Sequence, residues 1–165
     1  MAALATGTKA PEIELNASDG KRFSLREALG HGPVVLAFFK GSCPTCQYAF
    51  PFLERLYRAY GNKGVKLIGV SQNEAKETAA FAKEFGITFP VLLDDTHSYP
   101  ASNAYGLTNV PSIFWVAQDG EIEVSSVGWV KADFELINRK MADIDKIAPA
   151  MIFKPGEDVR DFRAG

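Results

Sequence analysis

The chain has 165 residues, 47% of them hydrophobic and 23% charged, with a formal net charge of -2. A chain of that length buries roughly two thirds of its unfolded surface around one core, so residues 1–165 read as a single domain that needs no disulfide staple. The near-balanced charge excludes the electrostatic footprint of a nucleic-acid or anionic-lipid binder, and the longest apolar run, Val34 to Phe39, falls far short of the ~20 residues of a membrane-spanning helix.

The first fifteen residues hold no basic segment followed by an apolar one, so no signal peptide is read there and the chain is expected in the cytoplasm. An extended segment near Glu12 to Leu15, the turn Ser18-Asp19-Gly20, and a short return strand with a helical turn through Phe23 to Leu29 come first. Val34 to Phe39 is a continuous β-type run and reads as a strand buried on both faces. From Pro44 to about Tyr60, the residues Phe50, Leu53, Tyr57 and Tyr60, with Leu56 beside them, recur at helical spacing. Pro51 lies inside that helix, where a missing N–H predicts a kink and not an end.

Val65 to Val70 is the next buried run, followed by a helix from about Glu74 to Glu84 with Ala79, Phe81, Ala82 and Phe85 inward and Gly86 as its cap. A strand at Val91 to Leu93, a short helix around Tyr99 to Tyr105, and a hairpin of Ser112 to Val116 with Glu121 to Val127 follow, turning at Asp119-Gly120. Lys131 to about Ile147 reads as a helix with Phe134, Ile137, Met141 and Ile144 on one side, and the tail after Pro149 reads as loosely held. Strands alternating with helices and closing on an antiparallel hairpin predict an α/β fold: a mixed central β-sheet with helices on both faces.

Only two cysteines are present, Cys43 and Cys46, three positions apart, which is too close in the chain to staple a fold. They sit where the buried strand hands over to a helix. At a helix N-terminus the unpaired N–H groups and the macrodipole favour an anion, so a thiol there is expected to lose its proton more readily than a free one. Pro44 suits the first helical turn and puts Cys43 at the cap, making it the exposed nucleophile. Cys46, nearly one turn on, is within reach and more buried, as a resolving thiol should be. The competing readings are half a zinc site, which His31 and His97 would have to complete, and inert core thiols. No metal is expected. The two histidines, Trp115 and Trp129 read most simply as solvated side chains and packing aromatics.

The residues resemble the thioredoxin superfamily, and within it the redoxin branch shared by TlpA/ResA-type thiol-disulfide oxidoreductases and AhpC/TSA peroxiredoxins. The resemblance rests on Gly7, Ala10, Pro11 and Leu15 with Asp19-Gly20 and Leu25; on Cys43-Pro44-Thr45-Cys46 with Pro51 and Leu53; and on Tyr105-Gly106, Val110-Pro111-Ser112 and Asp119-Gly120-Glu121-Ile122. It implies a thioredoxin fold with an N-terminal β extension and an inserted strand/helix segment. It also implies that Pro111 is a cis-proline facing the cysteines, with Val110, Pro44 and Thr45 lining the surface that receives substrate. The residues alone leave Pro111 as an ordinary trans proline opening a strand.

Two departures stand out. Ala37 and Ala49 occupy the places where relatives carry a buried acid, so the proton-shuttling carboxylate is missing at both. Lys40 is the one nearby cation that could tune Cys43.

The implied activity is thiol-disulfide exchange, in the reducing direction, within cell redox homeostasis. The pair Cys43-Cys46 itself is the redox centre, with no separate cofactor. The expected partners are a protein or small-molecule disulfide and a thiol reductant or reductase, with the chain a monomer. A thiol peroxidase with antioxidant activity is the rival enzyme, but its P-x-x-x-T-x-x-C pattern fails here. Lys40 stands three before Cys43, and Cys43 and Phe39 hold the threonine and proline places before Cys46. A redox-sensing binding module without turnover is the third reading.

Overall fold

The computed structural model describes residues 3–165. Its elements, in chain order, begin with β1 (Glu14–Asn16), β2 (Arg22–Ser24), α1 (Leu25–Leu29), β3 (Val34–Phe39) and α2 (Pro44–Tyr60). Then come β4 (Lys66–Ser71), α3 (Ala75–Phe85), β5 (Val91–Leu93), α4 (Pro100–Ala104), β6 (Ser112–Val116) and β7 (Ile122–Val127). The chain closes with β8 (Trp129–Val130), α5 (Lys131–Asp145) and β9 (Phe162–Arg163).

Five strands make one mixed sheet in the order β5-β4-β3-β6-β7, with β3 parallel to β4 and antiparallel to β6. Every residue of β3 is buried because both of its faces are covered. Val35, Ala37 and Phe39 look into a core built with α2, α3 and α5, while Val34, Leu36 and Phe38 look into a second core with α1, α4 and the N-terminal segment. The β1–β2 hairpin is the N-terminal extension; it touches the main sheet through a bridge between Ala17 and Leu92. α2 continues through Pro51 as one helix, so the proline does not end it.

Three expectations are corrected. Ala79 faces solvent, and Thr78 takes its place in the interior because Ser71 Oγ lies 2.6 Å from its hydroxyl. Ile144 is 44% exposed: it lies over Gly64, where a built Cβ would come within 3.0 Å of its Cγ2, and a glycine offers no side chain to cover it.

The segment after Pro149 is laid firmly along α2. Ile152 is 6% exposed and Phe153 packs on Phe52 and Phe134 with centroids 5.4 and 5.5 Å apart. Arg55 forks onto Glu157 at 2.7 and 2.8 Å and also donates to Ile152 O. β9 pairs with β8, and Trp129 Nε1 donates to Arg160 O at 2.7 Å. Two apolar anchors, several hydrogen bonds and one bidentate ion pair hold the tail, and none of these leaves a hydrophobic periodicity to read.

Candidate active site

The site is built where β3 stops and α2 starts. The intervening loop is tied down by backbone contacts: Gly41 N donates to Asn73 Oδ1 at 2.7 Å, Gln47 Nε2 donates to Gly41 O at 2.9 Å, and Cys43 N donates to Lys40 O at 3.1 Å. Cys43 is the N-cap of α2, with extended φ and ψ of -81° and 116°, and Pro44 opens the helix. The Cys46 N–H donates to Cys43 Sγ at 3.1 Å. One of the otherwise unpaired donors of the helix terminus is thereby satisfied by the sulfur.

The two thiols are not equivalent. Both are free; Cys43 is half-buried with Ser42 and Pro44 exposed around it, whereas Cys46 is fully buried. Burial pushes the Cys46 thiol well above the ordinary range, and the neighbouring Cys43 sulfur adds to the rise. Cys43 is therefore the sulfur a partner meets first, and Cys46 is a thiol held protonated beneath it.

The Val110–Pro111 peptide is cis, and Val110 O accepts a hydrogen bond from Cys43 Sγ at 3.3 Å. That loop is braced on its far side, where Ser112 Oγ donates to Asn109 O and Gly128 N donates to Pro111 O. Cys43, Pro44, Cys46, Val110 and Pro111 thus come together. Thr45 is beside them, 4% exposed, with its hydroxyl donating to Ala164 O at 2.6 Å. Lys40 reaches the site through its backbone carbonyl while its side chain is exposed.

Ala37 and Ala49 are fully buried in the same core as Cys46. The two buried carboxylates among the described residues are engaged elsewhere. Glu54 accepts from Thr88 N, Thr88 Oγ1 and Arg58 Nε, and Asp94 accepts from Ala101 N, Ser102 N and Ser102 Oγ. His31 and His97 are both exposed, and among the described residues no three of His, Cys, Asp and Glu gather as a metal would require. No helix among them is long and apolar enough to cross a membrane. Asn73 and Gln47, which shape the loop, escape a reading of the sequence because each bonds backbone groups and carries no periodic signal.

The sequence profile of the AhpC/TSA family matches residues 6–125. Thiol-disulfide oxidoreductase ResA of Geobacillus thermodenitrificans is 32% identical over 122 residues, which covers 73% of this chain and 68% of that protein. ResA of Geobacillus kaustophilus is 32% identical over 135 residues, covering 81% and 76%. The thioredoxin domain of a thiol-disulfide oxidoreductase from Bacteroides vulgatus superposes with a TM-score of 0.73 at 24% identity, over 84% of this chain and 98% of that one. The sheet order and the CxxC at the head of α2 are therefore those of a thioredoxin fold. With fold, paired thiols and the greater part of the sequence in agreement, the chain belongs to the AhpC/TSA family of the thioredoxin superfamily, on its ResA/TlpA-type side.

Proposed function

We propose that this chain is a thiol-disulfide oxidoreductase that reduces disulfides through Cys43 and Cys46. The observation that carries the reading is the inequality of the two thiols: an accessible sulfur at a helix cap, which accepts from the Cys46 backbone N–H, and the fully buried thiol of that same Cys46. Cys43 attacks one sulfur of the substrate; the substrate S–S bond breaks, a mixed disulfide forms, and the departing thiolate takes a proton. Cys46 then loses its proton and attacks Cys43, which closes the Cys43–Cys46 disulfide and releases the second substrate thiol. Two electrons and two protons pass to the substrate, and a dithiol reductant or a reductase returns the pair to its thiol form.

The 2-residue spacer keeps both sulfurs on one helical turn, so closing the disulfide needs little more than rotation about Cys43 χ1. The reading extends to protein and small-molecule disulfides as substrates, to a monomer in solution, and to a reducing compartment such as the cytoplasm. A compartment poised near glutathione keeps a thioredoxin-like pair reduced.

The test is insulin-disulfide reduction with dithiothreitol, run beside hydrogen peroxide consumption. Turnover of insulin without peroxide turnover supports the oxidoreductase; peroxide turnover that disappears in Cys43→Ser overturns it in favour of a thiol peroxidase. Within the first outcome, Cys43→Ser abolishes activity, while Cys46→Ser accumulates a mixed disulfide visible as a mass increase equal to one substrate thiol. Equal and mild losses in the two variants would refute the assigned roles.

A further inference from the structure

A disulfide can react only if its sulfur reaches Cys43 Sγ, and whatever chain carries that sulfur must cross the surface around it. Three sectors surround the atom. One, toward Ser42 and Pro44, is exposed. The second is the buried side occupied by Cys46. The third lies between Thr45 and Val110, and residues of the C-terminal segment fill it.

Ala164 O accepts the Thr45 hydroxyl at 2.6 Å, and Gly165 O accepts Asn109 Nδ2 at 3.3 Å. The Gly165 backbone rests so close to the loop that a built Cβ would fall 2.5 Å from Val110 O, the same oxygen that meets Cys43 Sγ. Upstream the segment is anchored by the β8–β9 pairing, by Arg160 N donating to Tyr48 Oη at 3.0 Å, and by the Arg163 guanidinium 5.4 Å above the Tyr48 ring. Gly128, with φ of +76°, lets the segment pass: a built Cβ there would strike Arg163 O at 2.6 Å.

We propose that residues 160–165 form a specificity-determining strap that occupies the edge an extended polypeptide would need beside Cys43, so that the protein prefers small disulfides to protein disulfides until the strap is displaced. A small disulfide enters through the exposed Ser42–Pro44 sector and needs nothing from the covered edge. An extended polypeptide runs several residues past its sulfur on both sides, and the backbone groups of Val110 that it would pair with are screened by Gly165. Selectivity then comes from a built-in clash against one class of substrate.

This inference rests on the oxidoreductase reading, and its test separates the two. The ratio of kcat/KM for insulin to kcat/KM for 2-hydroxyethyl disulfide is measured for the unaltered protein, for Gly165→Val, whose side chain cannot fit against Val110 O, and for Arg163→Ala, which leaves Tyr48 uncovered. Both substitutions are expected to raise the ratio at least fivefold while the rate on the small disulfide stays within twofold. An unchanged ratio in both variants overturns the strap and leaves the oxidoreductase standing; failure of the unaltered protein to reduce either substrate overturns the reading beneath it. A second measurement is independent of rates. Amide exchange of residues 160–165 is followed in Cys46→Ser carrying a mixed disulfide with either a cysteine-containing decapeptide or 2-mercaptoethanol. Protection lost with the peptide and kept with the small thiol supports displacement, and protection kept with both overturns it.

Discussion

Cys46 N–H donates to the sulfur that attacks, whereas the two buried carboxylates among the described residues, Glu54 and Asp94, are engaged away from the thiol that resolves. The second half of the reaction is therefore expected to be the slow one. In the mixed disulfide Cys43 no longer carries a thiol, but the burial that raises the Cys46 thiol remains, being the larger of its causes. A thiol well above its ordinary range is almost wholly protonated at neutral pH, and its reactive fraction grows about tenfold per pH unit until the raised value is reached. Single-turnover resolution of a preformed mixed disulfide should therefore accelerate by about that factor per unit between pH 6 and 9; a flat profile would mean that a base close to Cys46 removes its proton. Ala49 is fully buried one turn from Cys46 on the same face of α2, so Ala49→Glu restores a carboxylate at that place. It is expected to flatten the profile and to speed resolution at pH 7 by ~10-fold or more, toward the lower end of general-base effects. The same burial costs stability, about 1–3 kcal/mol for a polar group with incomplete partners, read as a lower urea midpoint.

At the scale of elements, α2 shows how far a helix can be read before its neighbours are known. Phe50, Leu53 and Tyr60 mark its sheet-facing stripe by spacing and are buried as that spacing demands, as is Leu56 beside them, whereas Tyr57, which the same spacing includes, is only half-buried. β3 was equally legible, since an unbroken apolar run of six has no other place in a small α/β protein than the middle of the sheet. Phe52 and Glu54, both buried, were not legible: Phe52 is covered by Trp129, Phe134 and Phe153, which arrive from 77 to 101 positions later in the chain. Glu54 is a carboxylate in an interior position because the turn after α3 brings it three donors, Thr88 N at 2.8 Å, Thr88 Oγ1 and, at 3.4 Å, Phe89 N. No local pattern announces such a partner. Removing the acceptor orphans those donors, so Glu54→Ala is expected to cost about 2 kcal/mol, whereas Glu54→Gln keeps one acceptor oxygen and should cost about half as much. Thermal unfolding would show the first as a drop in Tm of roughly 4–8 °C for a chain of this length, with activity on small disulfides unchanged because Glu54 lies beyond Cys46 along α2 and bonds the turn after α3, away from the site.

At the scale of the molecule, the tail joins the fold to the site. No periodic pattern in its sequence marks it as held, and it reads as loose; what holds it is a set of partners distributed over α2, β8 and α5. The active-site cysteines were legible from four letters and a strand-to-helix handover, whereas the covering of Thr45 was not, since it depends on chain more than a hundred positions away. The clamp of that covering is Arg55 with Glu157, each with about a quarter of its side chain exposed. The Arg55 guanidinium, helped by the Lys154 N–H, holds the Glu157 carboxyl down to about 2. A carboxyl lowered on folding stabilises the folded tail fully above its unfolded value near 4.5, and that contribution is lost as pH falls from there through about 2. Trp129, whose indole N–H is held by Arg160 O, reports on the tail. In a Trp115→Phe background its emission should shift to the red between pH 4.5 and 2, before the sheet melts by circular dichroism. Glu157→Gln should show the shifted emission already at pH 7 and no further step in that window. A Glu157→Gln protein whose emission at pH 7 matches the parent would mean that the ion pair is incidental and that β8–β9 and the Trp129 bond hold the tail unaided.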